Sequence, residues 1–350
     1  MKLPAKRHII LALLLLYVIL SRNIESWGIF YSSTLYPVLC KSLSSFSGLF
    51  PFAIGDCFII LALVAIICYP IFCRILKKGR WKSILLHELE SLLWIYVWFY
   101  IAWGLNYQRP DFYSRTEIPR CTFDGSAFRK FAHRYADSLN ACYMPISSID
   151  MDLLRKECVD GYRKISPQLG VMAPPRDELR VKTMVYSPLA SKVGVTGSMG
   201  PFFCEFTVNR KVRPESYPST YAHEMSHLLG ISSEAEANFY AYAICTASSV
   251  KAFRFSGYYS ILPYVMGNAR MVMEESEYRD FYYRINPEIM EVYKKEREFW
   301  HNLYSPLIGE VQNFLYDRYL KSNSISSGQK NYSEVIGIVM SCFCYGNCLP

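Results

Sequence analysis

Hydrophobic positions cluster in three long apolar runs near the start of the chain, residues 8–20, 52–72 and about 84–105. The second run approaches the ~20 residues that a bilayer core requires. The third ends in the aromatic run WIYVWFYIAW, which is typical of a membrane boundary. The first is as short as a signal-peptide core, but no small-residue cleavage pattern follows it, which favours an uncleaved anchor. We therefore predict three transmembrane helices, against the alternative of a soluble protein with three buried helices.

Basic residues flank these runs unevenly. Three lie within residues 2–7, and five lie within the connection 74–82 between the second and third runs. The loop 21–51 holds only Arg22 and Lys41. By the positive-inside rule, the N-terminus and the 74–82 connection are expected in the cytoplasm. The domain boundaries predicted are then a membrane domain, residues 1–105, and an extracytoplasmic domain, residues 106–350.

Composition agrees with a membrane protein and limits its partners. Apolar residues make up 51% of the chain, and the mean hydropathy is +0.08. The net charge of +8 arises partly from the residues that flank the apolar runs, so we expect a lipid bilayer and no nucleic acid as partner. Eight of the twelve cysteines follow residue 106, an even number that permits disulfides in an outer compartment. The C-terminal CFCYGNC lacks paired C-x-x-C spacing, which disfavours a structural metal site there.

Residues 106–350 contain both helix-like and strand-like segments, which predicts an α+β domain that is mostly helical. Apolar spacing indicates helices at 128–139 and 149–165, and enrichment in β-formers indicates strands at 179–186 and 202–208. The glycine-rich GVTGSMGP lies between the strands and is expected to be a connection. Further helices are predicted at 217–249, 269–284, 287–320 and 335–342, with a break at 321–333.

The predicted helices at 217–249 contain the sequence HEMSH, with His223 and His227 four positions apart. Ser216 is expected to cap the helix start, and Gly230 to provide a permissive residue beyond its end. Positions i and i+4 share one helix face, so both imidazoles can reach one point. Glu224 is offset by about 100°, where its carboxylate can reach water on a metal ion. This spacing indicates a zinc site with two histidine ligands and a glutamate general base.

A catalytic zinc site needs a third protein ligand. Metzincins place a histidine six positions after the second one, but Ser233 stands there. Ser233 and Glu236 have the spacing of a capping box, which gives Glu236 a structural role. Glu234 begins the next helix, and a reversal at Gly230 would bring it to the histidines. Glu234 is therefore the predicted ligand and Glu236 the alternative; Asn238 is either a group that orients the Glu234 carboxylate or a surface amide.

These motifs carry a resemblance that covers nearly the whole chain. HEMSHLLGISSEAEANFYAY resembles the pattern HExxHxxGxxxExEANF of a bacterial membrane family, domain of unknown function 3810. FYSSTLYPVLCKSLSSFSGLFPFAIGD, WGLNYQRP and YLKSNSISSGQKNYSEVI are also similar to that family. The resemblance implies a gluzincin-type zinc metallopeptidase with three spans before a zincin-like domain. The spacing Glu-x-x-x-Asn from Glu234 to Asn238 is similar to the Glu-x-x-x-Asp motif of other gluzincins, with asparagine in place of aspartate.

The expected protein is thus a zinc metallopeptidase of the bacterial inner membrane, multi-pass, with its N-terminus cytoplasmic and its catalytic domain periplasmic. His223, His227 and Glu234 would hold Zn²⁺, and Glu224 would act as general base on a peptide or protein substrate. The strand 202–208 is expected either to pair with substrate or to lie in the core. Candidate oxyanion donors are Tyr258, Tyr259, His301 and Arg254.

Two other functions remain open. A non-catalytic sensor or scaffold would keep zinc for stability and need a fourth ligand, such as Glu236 or Cys245. A zinc amidase acting on cell-wall material would share the whole site. The oligomeric state is not predicted.

Overall fold

The computed structural model describes residues 6–76, 78–121, 124–323 and 334–345. The fold is mostly helical and includes a three-stranded sheet. Contacts divide the chain into two units. The first comprises Met1–Arg109 together with Met199–Glu205, and the second comprises Pro110–Ser198 and Phe206–Pro350. All residues of the predicted metal site belong to the second unit.

The first unit is helical. Its helices are α1 (Lys6–Asn23), α2 (Glu25–Phe30), a π-helical turn (Tyr31–Leu35), α3 (Tyr36–Ser47), α4 (Ile54–Ile75), α5 (Trp81–Ala102) and a 3-10 turn (Gly104–Gln108). Helices α4 and α5 are both long and apolar enough to cross a membrane. Helix α1 is bent by 105° relative to the helical run Glu25–Ser47. Of the three predicted spans, two are therefore continuous helices, and the first counts as a span only as part of this bent pair.

The segment Met199–Glu205 packs among the helices of the first unit. The ring of Phe202 lies 4.8 Å from that of Phe58, and the Trp98 indole N–H donates to the Phe202 carbonyl at 3.1 Å. The Gly55 amide donates to the Glu205 carboxylate at the start of α4. Aromatic packing and hydrogen bonds to the backbone thus fix a segment that is more than 90 positions beyond the end of α5.

The second unit contains the remaining helices. They are α6 (Phe112–Thr116), α7 (Gly125–Cys142), α8 (Met151–Leu169), α9 (Ser187–Ser191), α10 (Tyr217–Leu228), α11 (Glu234–Thr246), α12 (Lys251–Val272), α13 (Glu275–Arg284), α14 (Pro287–Leu303), α15 (Pro306–Ser322) and α16 (Val335–Tyr345). The helices predicted at 128–139 and 335–342 are present and longer than predicted, and the one predicted at 149–165 begins at Met151 and continues to Leu169. The predicted break at 321–333 lies mostly outside the described residues.

Two predicted helices are each interrupted. The helix expected at 269–284 is split because α12 ends at Val272 and a capping box formed by Glu274 and Glu277 starts α13. The helix expected at 287–320 is split before Pro306, whose missing N–H and fixed φ suit the first turn of a new helix. Apolar periodicity continued through both points, so it did not reveal these breaks.

The sheet consists of β1 (Lys182–Thr183), β2 (Gly197–Gly200) and β3 (Glu205–Val208), in the order β1-β3-β2. β1 runs parallel to β3. The Asn209 amide donates to the Thr196 carbonyl and the Thr207 hydroxyl to the Ser198 carbonyl, so β2 runs antiparallel to β3. The predicted strands 179–186 and 202–208 are thus much shorter than expected. β2 was predicted as a connection because glycines weaken the strand signal.

Helices α10, α11 and α12 pack together at the centre of the second unit. Helix α11 is buried on almost every side, from Ala235 to Cys245. Its alanines let neighbouring helices approach, and Phe239 and Tyr240 are fully buried. A helix that is apolar all round belongs in a core. The core therefore fixes the helix whose first residue is Glu234.

Candidate metal centre

The motif helix α10 begins at Tyr217 and ends before Gly230, as predicted, but Ser216 does not make the expected cap. Gly230 has a φ of +85°, and the Ile231 amide donates to the Ser226 carbonyl, which closes the helix through a left-handed residue. Ser216 stands at the N-cap position, but its hydroxyl donates to the Glu296 carboxylate at 2.8 Å and does not cap the helix. The predicted cap is thus wrong, because a long-range acceptor takes the hydroxyl.

His223, His227 and Glu234 converge on one point. The two Nε2 atoms lie 3.1 Å apart, and the Glu234 Oε2 atom lies 3.2 Å from His223 Nε2 and 3.6 Å from His227 Nε2. Among the described residues, these three form the group of histidine, cysteine and acidic side chains with metal-site spacing, with ligand atoms within 4.8 Å of one another. The reversal at Gly230 therefore brings the two motif helices together as the spacing predicted.

The other ring nitrogen of each histidine faces an acceptor. His223 Nδ1 donates to the Asn238 side-chain oxygen at 3.0 Å, and His227 Nδ1 donates to the Ile231 carbonyl at 2.7 Å. A proton on each Nδ1 leaves both Nε2 lone pairs directed at the shared point, as in histidines that bind metals. Asn238 is thus placed to orient the His223 imidazole.

The donor set fits a tetrahedral zinc ion. For ligand bonds near 2.05 Å, tetrahedral geometry separates two ligand atoms by roughly 3.3 Å. The three separations in the site, 3.1, 3.2 and 3.6 Å, bracket that value. Two neutral imidazoles and one carboxylate are also the ligand types of known catalytic zinc sites with an open fourth position.

Glu236, the alternative ligand, is committed elsewhere. Its carboxylate accepts the Phe112 amide at 3.0 Å and pairs with Arg115 at 2.5 Å, both side chains of the pair being nearly buried. The Ser233 hydroxyl accepts the Glu236 amide, so half of the predicted capping box forms. The other half does not, because the Glu236 carboxylate binds the arginine. Cys245, named as another fourth ligand, is buried, which raises the pKa of its thiol to about 12.

Glu224 lies buried beside the ligands, 5% exposed. Burial raises the pKa of its carboxyl group, although the two neighbouring imidazoles lower it. Gly197 of β2 passes directly over this carboxylate, since a Cβ atom at that glycine would lie 2.5 Å from Glu224 Oε1. No role of Gly197 could be predicted from the sequence, because its neighbour in space, Glu224, is 27 positions away.

The ligands are strongly coupled electrostatically. Burial alone would lower the pKa of His227, but the adjacent Glu234 carboxylate raises it to about 9. Burial would likewise raise the pKa of Glu234, but the charge of His227 holds it well below its ordinary value. Without a metal, the site therefore favours a carboxylate beside a protonated imidazole. A cation bound between these side chains would balance the negative charge of Glu234 in place of the proton on the imidazole.

The four predicted oxyanion donors have other surroundings. Tyr259 donates to Glu296 at 2.6 Å, and Arg254 donates to the carbonyls of residues 248 and 249. The ring of Tyr258 packs against those of Tyr135 and Tyr242, and His301 lines a groove formed by α12, α13 and α14.

A different phenol, that of Tyr264 on α12, lies near the ligands. The Asn238 side-chain amide donates to its oxygen at 3.5 Å. Burial raises the pKa of Tyr264, and the negative charge of Glu234 raises it further. The phenol therefore stays protonated at neutral pH and keeps a proton to donate. Nothing local in the sequence distinguishes it from the other tyrosines of α12.

Comparison with known families identifies the chain. It belongs to the family described as "Protein of unknown function (DUF3810)", whose model matches residues 31–340. The resemblance noted from the motifs is thus confirmed. No curated protein matches the chain, and no solved structure matches it.

Proposed function

We propose that the chain is a membrane-anchored, zinc-dependent metallopeptidase with a zincin-like catalytic domain. One observation carries the proposal: His223, His227 and Glu234 present three metal-ligand atoms at tetrahedral spacing, with the Glu224 carboxylate buried beside them. Three ligands leave a fourth position for water, which distinguishes catalytic from structural zinc sites.

Bound zinc would supply a Lewis acid that lowers the pKa of water and polarises a carbonyl group. Glu224 accepts a proton from the water that attacks the peptide carbonyl carbon. When the C–N bond breaks, Glu224 passes that proton to the leaving amine nitrogen. The raised pKa of Glu224 suits both transfers, because a base is most effective when its pKa lies near the operating pH.

The neighbouring groups hold the ligands and stabilise charge. Asn238 and the Ile231 carbonyl fix the His223 and His227 rings. Tyr264 is our candidate to donate a hydrogen bond to the carbonyl oxygen as negative charge develops on it. We prefer it to the four unranked candidates named from the sequence, because Tyr264 contacts Asn238 and is affected by the charge of Glu234.

The substrate we propose is a peptide in extended conformation, which pairs with β2. From the sequence, residues 202–208 were expected either to pair with substrate or to lie in the core; β3 is the central strand, with β1 and β2 on its two sides. Among the described strands, β2 stands at one end of the order β1-β3-β2. Gly197 of this strand lies against Glu224, so a peptide added along β2 would pass the general base.

The proposed topology has the N-terminus in the cytoplasm and the second unit on the periplasmic side of a bacterial inner membrane. The helices apolar enough to span a membrane and the excess of basic residues at 74–82 support it. A reporter that is active only in the cytoplasm, fused to the C-terminus, should be silent. An active reporter would overturn this topology.

The two alternative functions differ from the proposed one in the number of zinc ligands or in the substrate. A structural zinc site in a sensor or scaffold needs a fourth protein ligand, and Glu236 is engaged by Arg115. The geometry therefore favours the enzyme. An amidase acting on cell-wall material would use the same residues, and profiling peptides against cell-wall fragments separates the two substrates.

The decisive experiment is Glu224→Gln in the full chain, purified in detergent. Zinc content should stay at one ion per chain, whereas hydrolysis of a quenched fluorescent peptide library should vanish. His227→Ala should lose both zinc and hydrolysis. The matched control is Glu275→Gln, an exposed glutamate of α13, which should change neither. Hydrolysis that persists in Glu224→Gln would remove this residue from the mechanism.

A further inference from the structure

Two cysteines distant in sequence meet in the second unit. Cys121 precedes α7, and Cys344 lies in the last turn of α16, 223 positions later. Their sulfur atoms are in direct contact, 2.7 Å apart. Neither residue belongs to the metal centre, and the proposed mechanism uses neither.

The backbone around this pair is anchored independently of the sulfurs. The Cys121 amide donates to the Ser341 hydroxyl at 2.9 Å, one turn before Cys344 on α16. On the same helix, the ring of Phe343 packs against Phe131 of α7 at 5.6 Å. The contact between the sulfurs is therefore set by packed elements on both sides and not by the freedom of two side chains.

We propose that Cys121 and Cys344 form a disulfide in the exported protein. Each thiol loses one proton and one electron, and the S–S bond forms by exchange with the disulfide of a thiol oxidoreductase, which is reduced to its dithiol. The proposal rests on the periplasmic location of the second unit, since disulfides persist in oxidising compartments. It does not depend on zinc or on hydrolysis.

The surroundings of Cys121 disfavour its thiolate form. Burial, and then the Cys344 thiol beside it, raise the pKa of Cys121 to about 11. The Cys121 thiolate is therefore scarce at neutral pH, which slows attack by this sulfur on another disulfide.

The bond would hold α16 in place. Helix α16 packs against α7, α11 and α12, and its residues from Val335 to Cys342 are largely buried. Helix α11 carries Glu234 and Asn238, so α16 packs directly against a helix that contributes to the metal centre. Linking α16 to the segment before α7 closes a loop of more than two hundred residues and stabilises the folded state by restricting the unfolded chain.

The test is mass spectrometry of the full chain extracted from bacterial membranes after alkylation of all accessible thiols. Trypsin releases Cys121 in the peptide CTFDGSAFR and Cys344 in the C-terminal peptide that starts after Lys330. We expect these two peptides to be covalently joined before reduction, with fragmentation assigning the link to Cys344 and not to Cys342 or Cys348. Cys121 recovered in alkylated form, or joined to another cysteine, would overturn the proposal.

Variants separate the bond from general effects of the substitutions. Cys344→Ser should abolish the joined peptides, whereas Cys348→Ser should retain them. Mild reduction should lower the thermal midpoint of the unmodified chain by roughly 5–15 °C and leave that of Cys121→Ser/Cys344→Ser unchanged. An equal shift of the thermal midpoint in both proteins would show that a bond between Cys121 and Cys344 adds nothing to thermal stability. The C-terminal reporter fusion tests separately whether the second unit lies on the periplasmic side, as proposed.

Discussion

Replacing Gly197 with alanine tests the link between β2 and the general base. The new Cβ atom would lie 2.5 Å from Oε1, 2.6 Å from Cγ and 2.7 Å from Cδ of Glu224. Real Cβ atoms essentially never approach other atoms within 3.0 Å, and ordinary contact begins near 3.4 Å. The carboxylate or the strand must therefore move by about 1 Å, and a misplacement of that size can cost ~100-fold in rate.

We expect Gly197→Ala to lower kcat/KM about 100-fold while zinc affinity stays unchanged. Overpacking should cost about 1–3 kcal/mol of stability, which a thermal scan detects. The assays are peptide hydrolysis and competition for zinc with a chromophoric chelator. The matched control is Gly267→Ala in α12, where a Cβ atom meets nothing within 4 Å. Full activity in a folded Gly197→Ala protein would refute the placement of Glu224 under β2.

Three further predictions concern the surroundings of the ligands. Asn238→Ala removes the acceptor for the His223 imidazole and should weaken zinc binding 10- to 100-fold by chelator competition; unchanged affinity would contradict that role. Arg115→Met leaves the Glu236 carboxylate buried and unpaired and should cost about 3–5 kcal/mol in thermal unfolding, partly restored by adding Glu236→Gln. The pKa of His227 is about 9 in the folded chain and 6.5 in the free side chain. The stabilisation that protonated His227 adds to the free energy of unfolding is therefore complete below pH 6.5. The metal-free chain should therefore lose roughly 3 kcal/mol as pH rises through 9, whereas the zinc-loaded chain should not; equal pH profiles would contradict the coupling.

The ligand positions were predictable from sequence because they depend on local geometry. His223 and His227 lie one helical turn apart, Gly230 reverses the chain, and Glu234 begins the next helix. Each of these steps follows from spacing and backbone conformation within a dozen residues. The same holds for the main helices, whose apolar periodicity is strong.

The surroundings of the ligands were not predictable, because they are formed by residues far apart in sequence. Glu236 binds Arg115, 121 positions away, and Ser216 bonds to Glu296, 80 positions away. Neither partner is marked by a local pattern. β2 escaped detection for a related reason: its glycines carry no strand propensity, and its position depends on pairing with β3.

The central claim is that three side chains hold one zinc ion and leave a position for water. The most direct measurement is X-ray absorption at the zinc edge of the full chain loaded with one equivalent of zinc, beside His223→Ala. We predict two imidazole nitrogens and oxygen ligands near 2.0–2.1 Å in the unmodified chain, and loss of tight binding in the variant. Sulfur ligands near 2.3 Å, or equal zinc affinity in both proteins, would contradict the account.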